Sequence, residues 1–115
     1  MHVTDVARAA LVLPPGIELE FDGRYDAMFC YKAKNYALAA GGEFLLDAGY
    51  HRSWGIGRHI QGSQIFDYWR DDNGFLVEHF TDGDLFDNTL EPGWAPMTAS
   101  GLAQWGPRSE EHTSE

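Results

Sequence analysis

A phenol, a carboxylate and an imidazole (Tyr68, Glu78 and His59) fall within a stretch of twenty residues. Residues 63–70 and 75–80 are the clearest strands in the sequence, rich in aromatic and β-branched side chains. Between them, Asp72-Asn73-Gly74 fits a three-residue hairpin loop, a type I turn closed by a left-handed glycine. That loop sets Asp71 against Phe75, Arg70 against Leu76, and Tyr68 against Glu78. Directly opposed side chains share a face of the sheet, so the phenol and the carboxylate become neighbours, with Phe66 and Phe80 beyond them. A carboxylate on an aromatic face must be solvated, paired or bound to a cation. A slip of one residue in register would separate the pair.

A second metal pattern competes for Glu78. Residues 67–78 span twelve positions that begin with Asp and end with Glu, as a calcium loop of the EF-hand type does. Trp69 at the third position and Asp72 at the sixth, where glycine is required, argue against it. Between Asp71 and Glu91 lie seven carboxylates and no Lys or Arg, which reads either as a solvated acidic face or as a run of which one member binds a metal. With eight Lys and Arg against eighteen Asp and Glu, the net charge of −10 is the wrong sign for a nucleic-acid surface. The single cysteine, Cys30, excludes an internal disulfide and a cysteine-based zinc cluster. Apolar runs are only a few residues long, so a cytoplasmic protein with no membrane partner is expected.

The 115 residues suffice for one domain. Alternation over 17–21 predicts a strand, followed by a turn at Asp22-Gly23. A second strand is expected over 27–33. A helix over 36–48 follows, with Asn35 as N-cap and Gly49 as the glycine just past its end. Gly41-Gly42 inside it suggests a helix lying close against a sheet. Residues 50–59 then lead through Gly55-Ile56-Gly57 into the hairpin. From Thr81 onward the chain is turn-rich, with Trp94 and Trp105 as expected anchors. A helix start is expected near Thr4 or Asp5. The order of elements from residue 27 is strand, helix, three strands.

Gly57-Arg58-His59, then 62–71, then Asn73-Gly74-Phe75-Leu76-Val77-Glu78-His79, resemble the last module of extradiol ring-cleavage dioxygenases. These are of the catechol 2,3-dioxygenase or dihydroxybiphenyl dioxygenase type, within the vicinal oxygen chelate (glyoxalase/bleomycin-resistance) superfamily. The resemblance covers about residues 27–106 and is most specific over 54–87. It implies an α+β fold, a βαβββ module with a helix on one face of a mixed sheet. It also implies Fe(II) as cofactor, held by two histidines and a glutamate, with Glu78 on the glutamate position. Tyr68 falls on the tyrosine that contacts the diol oxygen, and His59 on an acid/base histidine that is not a ligand. A catechol-like diol and O2 are the implied substrates. Phe66, Phe80 and Trp69 are the expected aromatic walls.

The match is incomplete. The family's second histidine ligand lies about thirty-one residues before His59, which lands on Met28, beside Ala27 and Phe29. The first ligand belongs to a preceding module. Residues 1–26 read as its compressed remnant, 27–107 as the module with a C-terminal extension, and 108–115 as a non-native tail resembling a translated sequencing adapter. His2 is a poor candidate ligand, His51 has no matching role, and His79 should face away from Glu78. The tail should be disordered or extended, since it has no apolar residue to bury. A homodimer or a missing module is expected over Tyr68 and Phe66. The alternative to a dioxygenase is a non-catalytic member of the superfamily that binds a small aromatic ligand.

Overall fold

A computed structural model of the chain describes residues 11–14, 16–25 and 28–110. The helix start near Thr4 and Asp5, Ala27 and the last five residues of the tail lie outside these. In chain order the described elements are β1 (Glu20–Tyr25), β2 (Met28–Lys32), α1 (Asn35–Asp47), β3 (Arg52–His59), β4 (Ile65–Arg70), β5 (Leu76–Thr81), the single turn α2 (Ala99–Leu102) and β6 (Ala103–Trp105). The six strands form one sheet in the order β1-β2-β5-β4-β3-β6. Among the described strands, only β2 and β5 pair in parallel. The run β2-α1-β3-β4-β5 is the expected βαβββ module, and β1 and β6 widen it at the two edges.

The hairpin has the register its loop residues dictate: Arg70 opposite Leu76, Tyr68 opposite Glu78 and Phe66 opposite Phe80. Asp71 closes the loop three ways. Its carbonyl accepts from Gly74 N at 3.0 Å, its N–H donates to Phe75 O at 3.0 Å, and its Oδ1 accepts from Asn73 N and Phe75 N at 2.9 and 2.8 Å. Gly74 sits at φ +83° with nothing within 4 Å of a would-be Cβ. Gly74→Ala should therefore cost about 1 kcal/mol through backbone conformation alone. The expected result is a lower urea midpoint with an unchanged slope.

Helix α1 ends as expected. Gly49 is left-handed at φ +86°, and Gly49 N and Tyr50 N bond back to Leu46 O and Leu45 O, each at 3.0 Å. Its start differs. Lys34 holds the N-cap position without a side-chain bond, and Asn35 is already helical. The Asn35 side-chain Oδ1 instead accepts from Thr81 Oγ1 at 2.8 Å, tying the helix to β5. Gly42 brings the helix down onto the sheet. A Cβ there would collide with Arg52 Nη2 and come within 2.9 Å of Asp67 Oδ2.

Alternation along the strands gives the sheet two apolar faces. On the α1 side, Tyr31, Trp69 and Val77 pack with Ala37 and Leu45 and with Leu11, Leu13 and Leu19 from before β1. On the other side, Trp54, Phe66 and Tyr68 cluster with Met28, Leu76, Leu102 and Ala103. Trp69 is therefore not a wall beside Glu78. It adjoins Tyr68 in β4 and must face the opposite way.

Two further expectations change. The first strand does not end at a turn at Asp22-Gly23, because a bulge between Phe21 and Gly23 carries the ladder through to Tyr25. Trp94 is fully exposed and anchors nothing, while the half-exposed Trp105 contributes its backbone to the pairing of β6 with Arg58.

Candidate active site

Three neighbouring strands carry the three residues singled out in the sequence. His59 ends β3, Tyr68 is in β4 and Glu78 is in β5, all on the face away from α1. His59 Nε2 lies 2.9 Å from Tyr68 Oη and 3.3 Å from Glu78 Oε2. Gly57, two residues before His59, leaves room for the Phe66 ring and for β6. A Cβ there would collide with the Phe66 ring and come 2.7 Å from Trp105 O. Arg58, between them in sequence, donates to Ser63 O and to Asp82 Oδ2, each at 2.7 Å, and fixes the loop that follows β3.

Two participants escaped the sequence reading. Trp54 stacks on Tyr68 with ring centroids 5.3 Å apart and planes 17° from parallel, and also packs on Phe66 at 4.0 Å. Cys30 is the β2 residue paired with Glu78, and its Sγ–H donates to Glu78 Oε1 at 3.5 Å. Counting back from His59 pointed to Met28, two residues away on the same face. The parallel β2–β5 register, which no local spacing reveals, selects Cys30.

Burial and the neighbouring Glu78 carboxylate both push the Cys30 thiol far above its ordinary range. The same two causes, in the same order, push the Tyr68 phenol up from 10.0. Both groups are therefore proton holders facing a carboxylate. A phenol that is harder to ionise in the fold than in the unfolded chain stabilises the fold fully below about pH 10, and this contribution fades as pH rises above it. Alkaline titration followed by phenolate absorbance should thus show Tyr68 ionising only with loss of structure. Tyr68→Phe should remove that share of the signal and extend stability to higher pH.

The aromatic face is not bare. Phe66 is fully buried and Tyr68 nearly so, because Leu102 and Ala103 fold over them. Among the described tail residues, 108–110 form neither helix nor strand. Ser109 is nonetheless buried, and Glu110 bonds His51 Nε2 at 2.8 Å. His79 faces α1, as expected. It is buried, and its Nε2 has no hydrogen-bond partner among the described residues. Asp67 and Glu78 point to opposite faces, which excludes the calcium-loop pattern.

An iron site of two imidazoles and a carboxylate does not fit these residues. The side chain facing Glu78 from β2 is a thiol. Among the described residues, no group of three His, Cys, Asp or Glu side chains is disposed to hold a metal ion.

No family model matches the chain. Metapyrocatechase 2 of Cupriavidus necator is 34% identical over 76 residues, which cover 65% of this chain and 24% of that protein. A halotolerant catechol dioxygenase superposes with a TM-score of 0.62 at 18% identity, over 73% of this chain and 27% of its own. A catechol 2,3-dioxygenase gives 0.58 at 14% identity, over 76% and 28%. An Mn(II)-bound glyoxalase from Novosphingobium aromaticivorans gives 0.61 at 24%, over 74% and 30%. The chain thus has the vicinal oxygen chelate fold. It spans about a quarter of the length of metapyrocatechase 2, an extradiol dioxygenase by name. No helix among the described residues is long and apolar enough to cross a membrane.

Proposed function

We propose that the chain is the diol-binding module of an extradiol dioxygenase, acting on a catechol-like aromatic diol with O2 and Fe(II). The observation that carries this reading is the His59–Tyr68–Glu78 constellation on a buried aromatic face. Tyr68, held protonated, donates a hydrogen bond to a diol oxygen. His59 takes up a proton as the diol ionises, general-base work suited to an imidazole. Glu78 is the carboxylate offered toward a cation. The two imidazoles that an iron site of this kind needs are not supplied here. In this reading they come from a preceding module, of which 1–26 is the remnant, or from a second copy, and 108–115 is foreign to the module. The protein works in the cytoplasm, where a thiol such as Cys30 stays reduced.

A second reading, a non-catalytic binder of a small aromatic ligand, is favoured by Cys30. Its S–H already donates to Glu78 where an imidazole ligand would be needed.

The two readings separate in one experiment. The chain is supplied anaerobically with Fe(II) and catechol, then with oxygen, while Trp fluorescence and the yellow ring-fission product are followed. Catechol should quench Trp54 and yield no colour, with iron lost on desalting. Adding the missing N-terminal module should bring colour under the first reading and none under the second. Absence of any catechol binding would overturn both.

A further inference from the structure

The longest exposed stretch among the described residues lies between β5 and α2. Residues 84–97 form neither helix nor strand, and all fourteen are exposed. They carry Leu85, Phe86, Leu90, Trp94 and Met97 into solvent, with Leu85 and Trp94 almost wholly uncovered. Single apolar side chains on a surface are ordinary, but five on one short arm mark an interface. The arm has a defined shape. Asp84 N donates to Gly62 O at 2.7 Å, and Ser63 Oγ donates to Asp84 Oδ2 at 3.0 Å, which fixes its root. Asp87 Oδ1 accepts from Thr89 N at 2.8 Å and turns its middle. Its charged residues are Asp84, Asp87 and Glu91, with no Lys or Arg.

A surface that fits this arm lies on the same chain. An open groove of about 450 Å³ is lined by Glu18, Leu19, Glu20, Lys32, Ala33 and Lys34. Leu19 and Ala33 are buried and give it an apolar floor. Glu20 and Lys32 oppose each other across β1 and β2. Lys32 and Lys34 enter no ion pair with a described side chain, and they are neighbouring cations on a chain of net charge −10. Arm and groove stand at one end of the sheet. The parallel strands β2 and β5 end together there, with Ala33 N donating to Phe80 O at 2.8 Å. The root of the arm turns away from its own groove, toward the loop between β3 and β4. In the strand order, groove and arm thus lie on opposite sides of β5. A twofold axis normal to the sheet at this end exchanges the two sides and brings each arm to the other copy's groove.

We infer that the chain docks on a second copy of itself by reciprocal exchange, the acidic apolar arm 84–97 of each copy seated in the Lys32–Lys34 groove of the other. The apolar side chains cover Leu19 and Ala33, and the arm's carboxylates face the lysine wall rather than Glu18 and Glu20. Such a contact is isologous and closes at two copies. Arm and groove together supply about twenty residues from each copy, the lower end of what a standard interface uses. The docking does not depend on the proposed diol chemistry.

The test is sedimentation equilibrium of the full chain at low and high salt, with Trp emission followed on dilution. The unaltered chain should be a dimer that weakens as salt rises, and dilution should move emission to the red as Trp94 returns to water. Leu85→Ser/Trp94→Ser should be monomeric. Lys32→Glu/Lys34→Glu and Asp84→Lys/Glu91→Lys should each be monomeric alone and should form a one-to-one dimer when mixed. In the mixture one contact is the native one and the other pairs reversed charges. All six positions are exposed, so the fold survives these changes, and circular dichroism checks it. A monomer at every soluble concentration overturns the inference. It does so in favour of a preceding module if Trp94 emission moves to the blue only when that module is added. A dimer that all three variants leave intact overturns it too, as does a folded charge-reversed pair that stays monomeric when mixed. Neither catechol nor iron enters these readouts, so this result and the test of function fail independently.

Discussion

Arg52→Ala is expected to lower stability by about 3–5 kcal/mol at neutral pH, the range for stripping one partner from a buried ion pair. Asp67 is completely buried, and Arg52 meets both of its oxygens, Nε at 2.9 Å from Oδ1 and Nη2 at 3.3 Å from Oδ2. The guanidinium also lies over the Trp69 ring at 4.6 Å, beneath Gly42 of the helix. Removing it leaves a carboxylate with no cation in an apolar layer and opens a gap under α1. Burial already lifts the Asp67 carboxyl to about 6, against the opposing pull of Arg52 and the Trp69 indole N–H. Without Arg52 it rises further, so the loss should be smaller at pH 5 than at pH 7.5. Urea denaturation at the two pH values measures both. A loss below about 1 kcal/mol at pH 7.5 would show that the pair is not what holds helix to sheet.

Acid should act on Asp67→Asn and His79→Gln in opposite directions. Burial pulls the His79 imidazole down from 6.5 to about 4. The unfolded chain therefore takes up this proton before the folded one does. The stability is whole above about pH 6.5 and is lost as pH falls toward 4, by an amount of the order of 3 kcal/mol. Asp67 works the other way. Its folded pKa of about 6 stands above the ordinary 3.8, so the fold gains a similar amount as pH falls through that window. The two are opposed partners on β4 and β5, and their effects nearly cancel in the unaltered protein. Asp67→Asn should expose the acid sensitivity of His79, and His79→Gln should leave a protein that gains stability between pH 6.5 and 4. The slope of unfolding free energy against pH, rather than its absolute value, distinguishes these outcomes from the constant cost of each substitution.

What could be read in the chain before its structure was whatever local chemistry decides. The hairpin register followed from three loop residues, and it alone placed Tyr68 beside Glu78. Gly49 ended the helix because a left-handed position there needs no side chain. The βαβββ order followed from periodicity and from a motif centred on Gly57-Arg58-His59. What stayed hidden depends on pairing between distant segments. Cys30 meets Glu78 only through the parallel β2–β5 register, and a count along the chain misses it by two residues. The buried Arg52–Asp67 pair was hidden for the same reason. Asp67 looked like the start of a calcium loop, and Gly41-Gly42 hinted at a close approach without naming what lay beneath. The segment of α2 and β6 was missed because a four-residue turn and a three-residue strand carry no periodicity. Its hold on the sheet is largely backbone hydrogen bonding, to which side-chain patterns are blind. Trp69 was assigned to the wrong wall although strict alternation from Tyr68 already decided it.

The parallel β2–β5 pairing also orders events in time. The β3-β4-β5 meander closes through short loops, whereas Cys30 must find Glu78 across 48 residues of chain. Local antiparallel contacts form at small entropic cost and distant parallel ones at large cost. The meander should therefore be the nucleus, with β1, β2 and α1 docking onto the exposed edge of β5 afterwards. On a ribosome that edge, lined by Val77 and His79 toward the helix, is made last. The N-terminal strands and helix must then wait outside the tunnel for their partner.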